Sequence, residues 1–467
     1  TEPNAGRGKA IFSVRGENTD RVTDDAGEID RTIGLPGAIT IGTGTMIGAG
    51  IFVFPGLAAG RAGPAAAVSF VVGAAIAILV ALSTAELATA MPKSGGGYYF
   101  VSRALGELWG AVVGIGLTFG LVFATAFYLV GFGEYAVGAL SEAGIAETAA
   151  YSVGPLGAVT LLGAGLGVAL TIVSVLGTEN AESVQNGVVG LLLAILAVFL
   201  SVGSVRLGTG TPATTFAPDG FAPILSTAAL VFTSYLGFAQ IATVAGDVVD
   251  PDRNLPIAMV GSVVLVGVFY VFTLLLAGYT FEPSVIGPMG ETAIVEVARE
   301  HLGTTGAVMI LVGGLLATLS SANASILSAS RALYGVSSDS ILPPAAARVN
   351  RRYGTPHFAL GFVGGTAVCL VVLGRTELLA EVASFLHLIL YGSICIALLV
   401  LRRTDPSWYE PSFRCPGYPV VPIVGSIASF GLISFMQPLS QRLGVAVSLV
   451  AVGWYLLYAR GVELEEN

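Results

Sequence analysis

Charge is what this sequence has least of. Only 11% of its 467 residues are Asp, Glu, Lys or Arg, where a soluble domain carries about 25%. Lysine is nearly absent, since of 21 basic residues only Lys9 and Lys93 are lysines. No basic patch exists to follow a phosphate backbone, so nucleic acid is not an expected partner. Three cysteines, Cys369, Cys395 and Cys415, offer neither a disulfide framework nor zinc spacing. The G-x-S-x-G and H-E-x-x-H motifs and the Walker A loop are missing too, which argues against an enzyme and against an ATP-driven pump. Residues 1–33 hold no apolar core bounded by a cleavage site, so they read as a polar cytoplasmic tail rather than a signal peptide. The net charge of −9 fits either a protein adapted to strong salt, where surface fields are screened, or an arginine-favouring GC-rich genome.

What the chain has instead is apolar length. Hydrophobic residues make up 54% and the mean hydropathy is +0.83. Twelve runs approach the roughly 20 apolar residues needed to cross a bilayer. They lie near 35–58, 65–89, 107–133, 155–176, 186–205, 222–246, 256–280, 304–333, 358–374, 379–401, 420–437 and 444–459. Backbone groups in lipid must be satisfied within the segment, and barrel-type alternation is absent, so these are helices. The expected fold class is an all-α membrane protein with twelve transmembrane helices. With the N-terminus inside, sixteen Lys and Arg fall on the cytoplasmic side. Five fall outside: Arg61, Arg206, Arg299, Arg375 and Arg442. That bias predicts a multi-pass protein of the cell membrane with both termini cytoplasmic.

Two runs are built to come apart. The first contains GTGTMIGAGIFVFPG (42–56), with five glycines in 15 residues, each costing a helix interior roughly 1 kcal/mol relative to alanine. The sixth carries Thr233, Ser234, Gly237, Gln240 and Thr243 in its middle. Interrupted spans at matching places in two halves point to a transporter site. The halves would be 34–205 and 222–402, with 403–467 adding two accessory helices and the C-terminal tail. Close helix packing through small residues explains Gly44 and Gly48 equally well, but not the polar residues of the sixth span. A break frees N–H groups at the start of one half-helix, which attract an anion, and carbonyls at the end of the other, which attract a cation. A zwitterion satisfies both. Glycine would allow close backbone approach and a positive φ there.

These segments are similar to a known family. GTMIGAGIF (44–52) resembles the first-helix signature of the amino acid–polyamine–organocation superfamily of permeases. AELATAMPKSGGGYYF (85–100), DVVDPDRNLPIAM (247–259), SSANASILSASRALYGVSSDSILP (320–343) and NRRYGTPHFAL (350–360) resemble further family segments in the expected order. The resemblance implies a LeuT-type fold of five plus five helices in inverted repeat, with broken first and sixth helices. It also implies secondary transport of an amino acid or related amine. Carried over residue by residue, it places the substrate carboxylate at the amides of Gly48, Ala49 and Gly50. The ammonium would meet carbonyls near Met46, Tyr235 and Leu236. Thr233 stands where relatives often have an aromatic gate, with Phe232 and Tyr235 beside it and Ser234 between; Phe232 faces either the gate or the lipid.

The fifth helix lacks the lysine of many proton-coupled relatives, and Ala239 replaces the glutamate of a GFE motif. What remains resembles a Na⁺ site built from Gly44 and Ile47 carbonyls with the Ser320 and Ser321 hydroxyls, to which Ala317 could add a carbonyl. Alternatively, those serines bond back to the preceding turn. No other cofactor is implied, and H⁺ coupling or exchange is the competing possibility. His387 is a candidate proton carrier or a hydrogen-bonded residue of the bundle. Glu86, Asp247, Arg331 and Glu134 read as solvated residues at helix ends, or as gate charges. With no fixed charge near either break, the expected substrate is a neutral amino acid. A transporter-like sensor and an inorganic-ion cotransporter are the more distant alternatives.

Overall fold

Apolar runs punctuated by proline and glycine set the helix boundaries. A computed structural model describes residues 33–92, 96–145, 152–153, 156–177, 181–209, 215–350 and 352–461, apart from the side chains of Ala49, 181–186 and 206–209. The tail expected at 1–33 lies outside this set except for Ile33, as do Lys93 and Gly95 of the second family-like segment. The helices are α1 (Leu35–Ala62), α2 (Ala66–Ala90), α3 (Gly96–Leu105), α4 (Glu107–Glu142), α5 (Ala158–Leu176), α6 (Ala181–Thr209), α7 (Pro223–Val231) and α8 (Gly237–Thr243). They continue as α9 (Pro251–Thr280), α10 (Pro283–Met289), α11 (Ala293–Ser338), α12 (His357–Val371), α13 (Thr376–Thr404), α14 (Val420–Ile433) and α15 (Pro438–Trp454). Among the described residues the only paired strands are Ser152–Val153 and Leu156–Gly157.

Proline opens α1, α7, α9, α10 and α15, where its missing N–H costs nothing. The eighth expected span, beginning at 304, is the second part of the 46-residue α11. Gly303 interrupts that helix with φ 68° and ψ −158°, a conformation open mainly to glycine.

Nine stretches among the described residues are long and apolar enough to span a membrane. The first two expected spans run together as Gly50–Ala90, while α12 and α14, the ninth and eleventh, are shorter apolar helices of 15 and 14 residues. The third span is longer than expected, because α4 continues through EYAVGALSE to Glu142.

Burial follows the logic of a lipid-embedded bundle. The middle of α1 is buried from Met46 to Phe54 wherever side chains are described. The exposed large residues are themselves apolar: Val264, Val268 and Phe272 on α9, Ile172 and Val173 on α5, Leu449 and Val450 on α15. Such surface is unfavourable in water and suits hydrocarbon. Helix α1 packs against α9, α11 and α8, while α4 packs against α11 and α13. The chain's first apolar run therefore sits inside the bundle, ringed by later ones.

Candidate functional site

Both expected interruptions occur. In α1 the helical dihedrals fail at Gly48 (φ −41°, ψ −137°). The φ stays negative, so the expectation of a positive φ does not hold here; it is ψ that departs from the helical value near −42°. What makes glycine necessary is crowding. A Cβ on Gly48 would overlap Ser321 Oγ of α11 and stand 3.1 Å from its Cβ. Two residues on, a Cβ on Gly50 would overlap the Tyr270 hydroxyl of α9 and lie 3.1 Å from Ser234 Oγ.

The second interruption is of another kind. Between α7 and α8 the chain tightens to a 3₁₀ turn over Phe232–Tyr235, with the flanking Val231 and Leu236 still in the right-handed region. Side chains hold the turn. The Thr233 amide donates to Ser384 Oγ of α13 at 3.0 Å. The Thr233 hydroxyl donates to the Ala380 carbonyl at 3.2 Å and lies 2.8 Å from Ser384 Oγ. Tyr235 donates to the Phe70 carbonyl of α2 at 2.9 Å. Thr233 is therefore anchored to α13. Phe232 is fully buried, 6.0 Å from the Tyr391 ring, which excludes the lipid-facing alternative.

The two interruptions lie side by side. Ser234 of the 3₁₀ turn shares the space over Gly50 with the Tyr270 hydroxyl. At the start of α8, a Cβ on Gly237 would overlap the Gly42 carbonyl and stand 2.6 Å from Met46 Cγ. Leu236 is buried at this junction. The Met46 carbonyl, expected to face an ammonium, already accepts a 2.8 Å hydrogen bond from Tyr270, and the Phe52 carbonyl accepts one of 2.7 Å from Tyr135 of α4. Sequence reasoning missed both tyrosines, which carry no local signal inside their apolar runs. Of the expected ion ligands, buried Ser321 reaches Gly48, as does the Ala317 carbonyl on the same helix, 3.7 Å from a Gly48 Cβ. Ser320 and Ile47 are buried, and Gly44 packs against Val189 of α6, with 2.6 Å between its Cβ position and Val189 Cγ2. Ala49 belongs to α1 but its side chain is outside the described set. His387 is buried, with Nδ1 2.7 Å from the Ala383 carbonyl one turn back.

Charge gathers at the helix ends. Glu86 is not a solvated end residue: it is fully buried. Arg402 grips it with Nε on Oε1 at 2.6 Å and Nη2 on Oε2 at 2.5 Å, Tyr409 donates at 2.9 Å, and the Cys415 amide donates at 2.6 Å. The segment between α13 and α14 thus folds over the end of α2. Burial, followed by the neighbouring carboxylate, pushes the Cys415 thiol up to about 11 and raises the Tyr409 phenol. At the other end of α13, Arg61 pairs with Glu377 and, at 3.5 Å, with buried Glu381, which also accepts from Ser440 and the Gln437 amide. Ile33, preceding α1, exchanges backbone hydrogen bonds of 2.9 Å with Asp247 and Val249 after α8. Arg331 is exposed; Asp247 and Glu134 are half-buried.

Residues 37–458 match the amino acid permease family. A branched-chain amino acid permease of Bacillus subtilis is 28% identical, covering 94% of this chain and 96% of that protein. A methylthioribose transporter of the same organism is 29% identical over 92% and 94%. Its serine/threonine exchanger is 25% identical over 93% and 98%. The chain belongs to the amino acid permease family and is a multi-pass membrane protein.

Proposed function

We propose that this member of the amino acid permease family is a secondary transporter that moves neutral amino acids by alternating access. The observation that carries the reading is the adjacency of the two interruptions, with Ser234 of one seated over Gly50 of the other. The amides of Gly48, Ala49 and Gly50 receive the carboxylate at the start of the outer half of α1, where the helix dipole adds its attraction. Carbonyls near Met46, Tyr235 and Leu236 receive the ammonium. Met46 can still do so while bonded to Tyr270, because a carbonyl accepts twice. Neutral cargo follows from the surroundings, since hydroxyls and aromatic rings meet the breaks while the ion pairs sit at the helix ends.

In this reading residues 34–205 and 222–402 are inverted repeats, 403–467 are accessory, and both termini are cytoplasmic. The Arg61–Glu381 contact then closes the outer end of α1, and the Ile33 bridge closes its inner end. Alternating access parts them in turn. A coupling Na⁺ is held by the Gly44 and Ile47 carbonyls with Ser320 and Ser321. The support is the meeting of Ser321 and the Ala317 carbonyl at Gly48, an oxygen-rich set that suits a hard cation.

Uptake into proteoliposomes across a panel of amino acids, with and without a Na⁺ gradient, tests this. Accumulation of a neutral amino acid driven by Na⁺ is expected. Accumulation that follows a pH gradient and ignores Na⁺ would remove the sodium site, and binding without accumulation would make the protein a sensor. Uptake that requires preloaded amino acid would mark an exchanger, a second reading favoured by the name of one relative. Ser321→Ala should raise the Na⁺ concentration for half-maximal uptake; an unchanged requirement clears that residue.

A further inference from the structure

Beside the second break stands a tyrosine that no family-like segment includes. Tyr391 of α13 is fully buried, and its hydroxyl has no hydrogen-bond partner among the described residues. Its ring centroid lies 6.0 Å from Phe232, 5.1 Å from Phe238 and 6.1 Å from His387. Phe232 and Phe238 bracket the 3₁₀ turn, so Tyr391 is packed directly against the break. On the other side of the turn Ser234 and the Tyr270 hydroxyl stand over Gly50. A buried hydroxyl left unpaired is costly, and phenylalanine would fill the same space without that cost. The retained oxygen calls for a partner that arrives with the cargo.

Resting on the amino acid reading above, we infer that the Tyr391 hydroxyl hydrogen-bonds a hydroxyl on the substrate's side chain, so the preferred cargo is a small hydroxylated amino acid, threonine or serine. The carboxylate and ammonium are already provided for by the breaks, which leaves the side chain as the part that meets Tyr391. A phenol can donate to or accept from an alcohol, and the rings of Phe232 and Phe238, which belong to the second break, pack against that of Tyr391. A site that bonds a substrate hydroxyl rejects the analogue lacking it far better than an apolar pocket rejects an added methylene.

Threonine and valine make the decisive pair, having one shape and differing by hydroxyl against methyl. Uptake of radiolabelled threonine and valine by the full chain in proteoliposomes should favour threonine by about tenfold or more. Tyr391→Phe should bring the ratio close to one. A wild-type protein that takes valine as well as threonine would overturn the inference while leaving an amino acid transporter. A threonine preference that survives Tyr391→Phe would also overturn it. Should that variant fail to fold, the wild-type ratio of serine to alanine poses the same question, and equality contradicts the inference. If no amino acid is taken up or bound, the underlying reading fails with it.

Discussion

The two helix interruptions reach the same result by opposite means. The first is a backbone device: at Gly48 and Gly50 the neighbours Ser321, Tyr270 and Ser234 leave no room for a Cβ, and the helical dihedrals fail at Gly48. The second contains no glycine between Phe232 and Leu236. It tightens within the right-handed region, tied by Ser384 to α13 and by Phe70 to α2. One break is made by what is missing, the other by partners brought from distant helices. A rigid, crowded break offers fixed amides, whereas a tied break can be released by losing its ties. The first is thus suited to holding a ligand and the second to moving with α13.

That contrast predicts different responses to substitution. The largest effect belongs to Gly48→Ala, whose methyl overlaps Ser321 Oγ. Overpacking of this kind costs about 1–3 kcal/mol, and displacement of the amides should lower substrate affinity by at least about tenfold. Adding Ser321→Ala removes the overlapping oxygen and should restore part of the affinity. Isothermal titration of the purified protein measures both, and full affinity in the single variant would mean that the first break is not crowded at all.

The second break should respond less in affinity. Ser384→Ala removes the acceptor of the Thr233 amide and leaves a buried donor unpaired, at a cost of about 1–3 kcal/mol. The expected signature is a lower melting temperature, with transport rate changed more than affinity. A change confined to affinity would mean that the second break is as rigid as the first. The smallest effect is expected for Tyr235→Phe, which deletes one hydrogen bond to the Phe70 carbonyl, worth about 1 kcal/mol. Thermal unfolding in detergent reads this out, and a loss as large as that of Gly48→Ala would erase the distinction between the two devices.

The same difference explains what was legible in the sequence. The first break announces itself through five glycines in 15 residues of an apolar run, and Gly48 is where the helix fails. The second was visible only through Thr233 and Ser234, polar residues placed where lipid would penalise them. The partners were not visible: Ser384 of α13 ties the second break, while Tyr270 of α9 and Tyr135 of α4 bond carbonyls of α1, and each is an ordinary residue in its own helix. Glu86 departs from its expected place in solvent for a similar reason. Hydropathy places it at a helix end, but its burial is created by Arg402, Tyr409 and Cys415, more than 300 positions away. Pattern along the chain reports a residue's own helix, and the partners that decide its role come from elsewhere.

In the proposed function the two breaks together grip both charged ends of an amino acid. The direct test is competition for binding to the purified protein between a transported amino acid, its methyl ester and its N-acetyl derivative. The ester lacks the carboxylate charge and the acetyl compound lacks the ammonium. Each blocked compound should bind at least about 100-fold more weakly, the equivalent of two factors of ten in affinity. If either competes as well as the free amino acid, the corresponding break does not hold that end, and the account is contradicted.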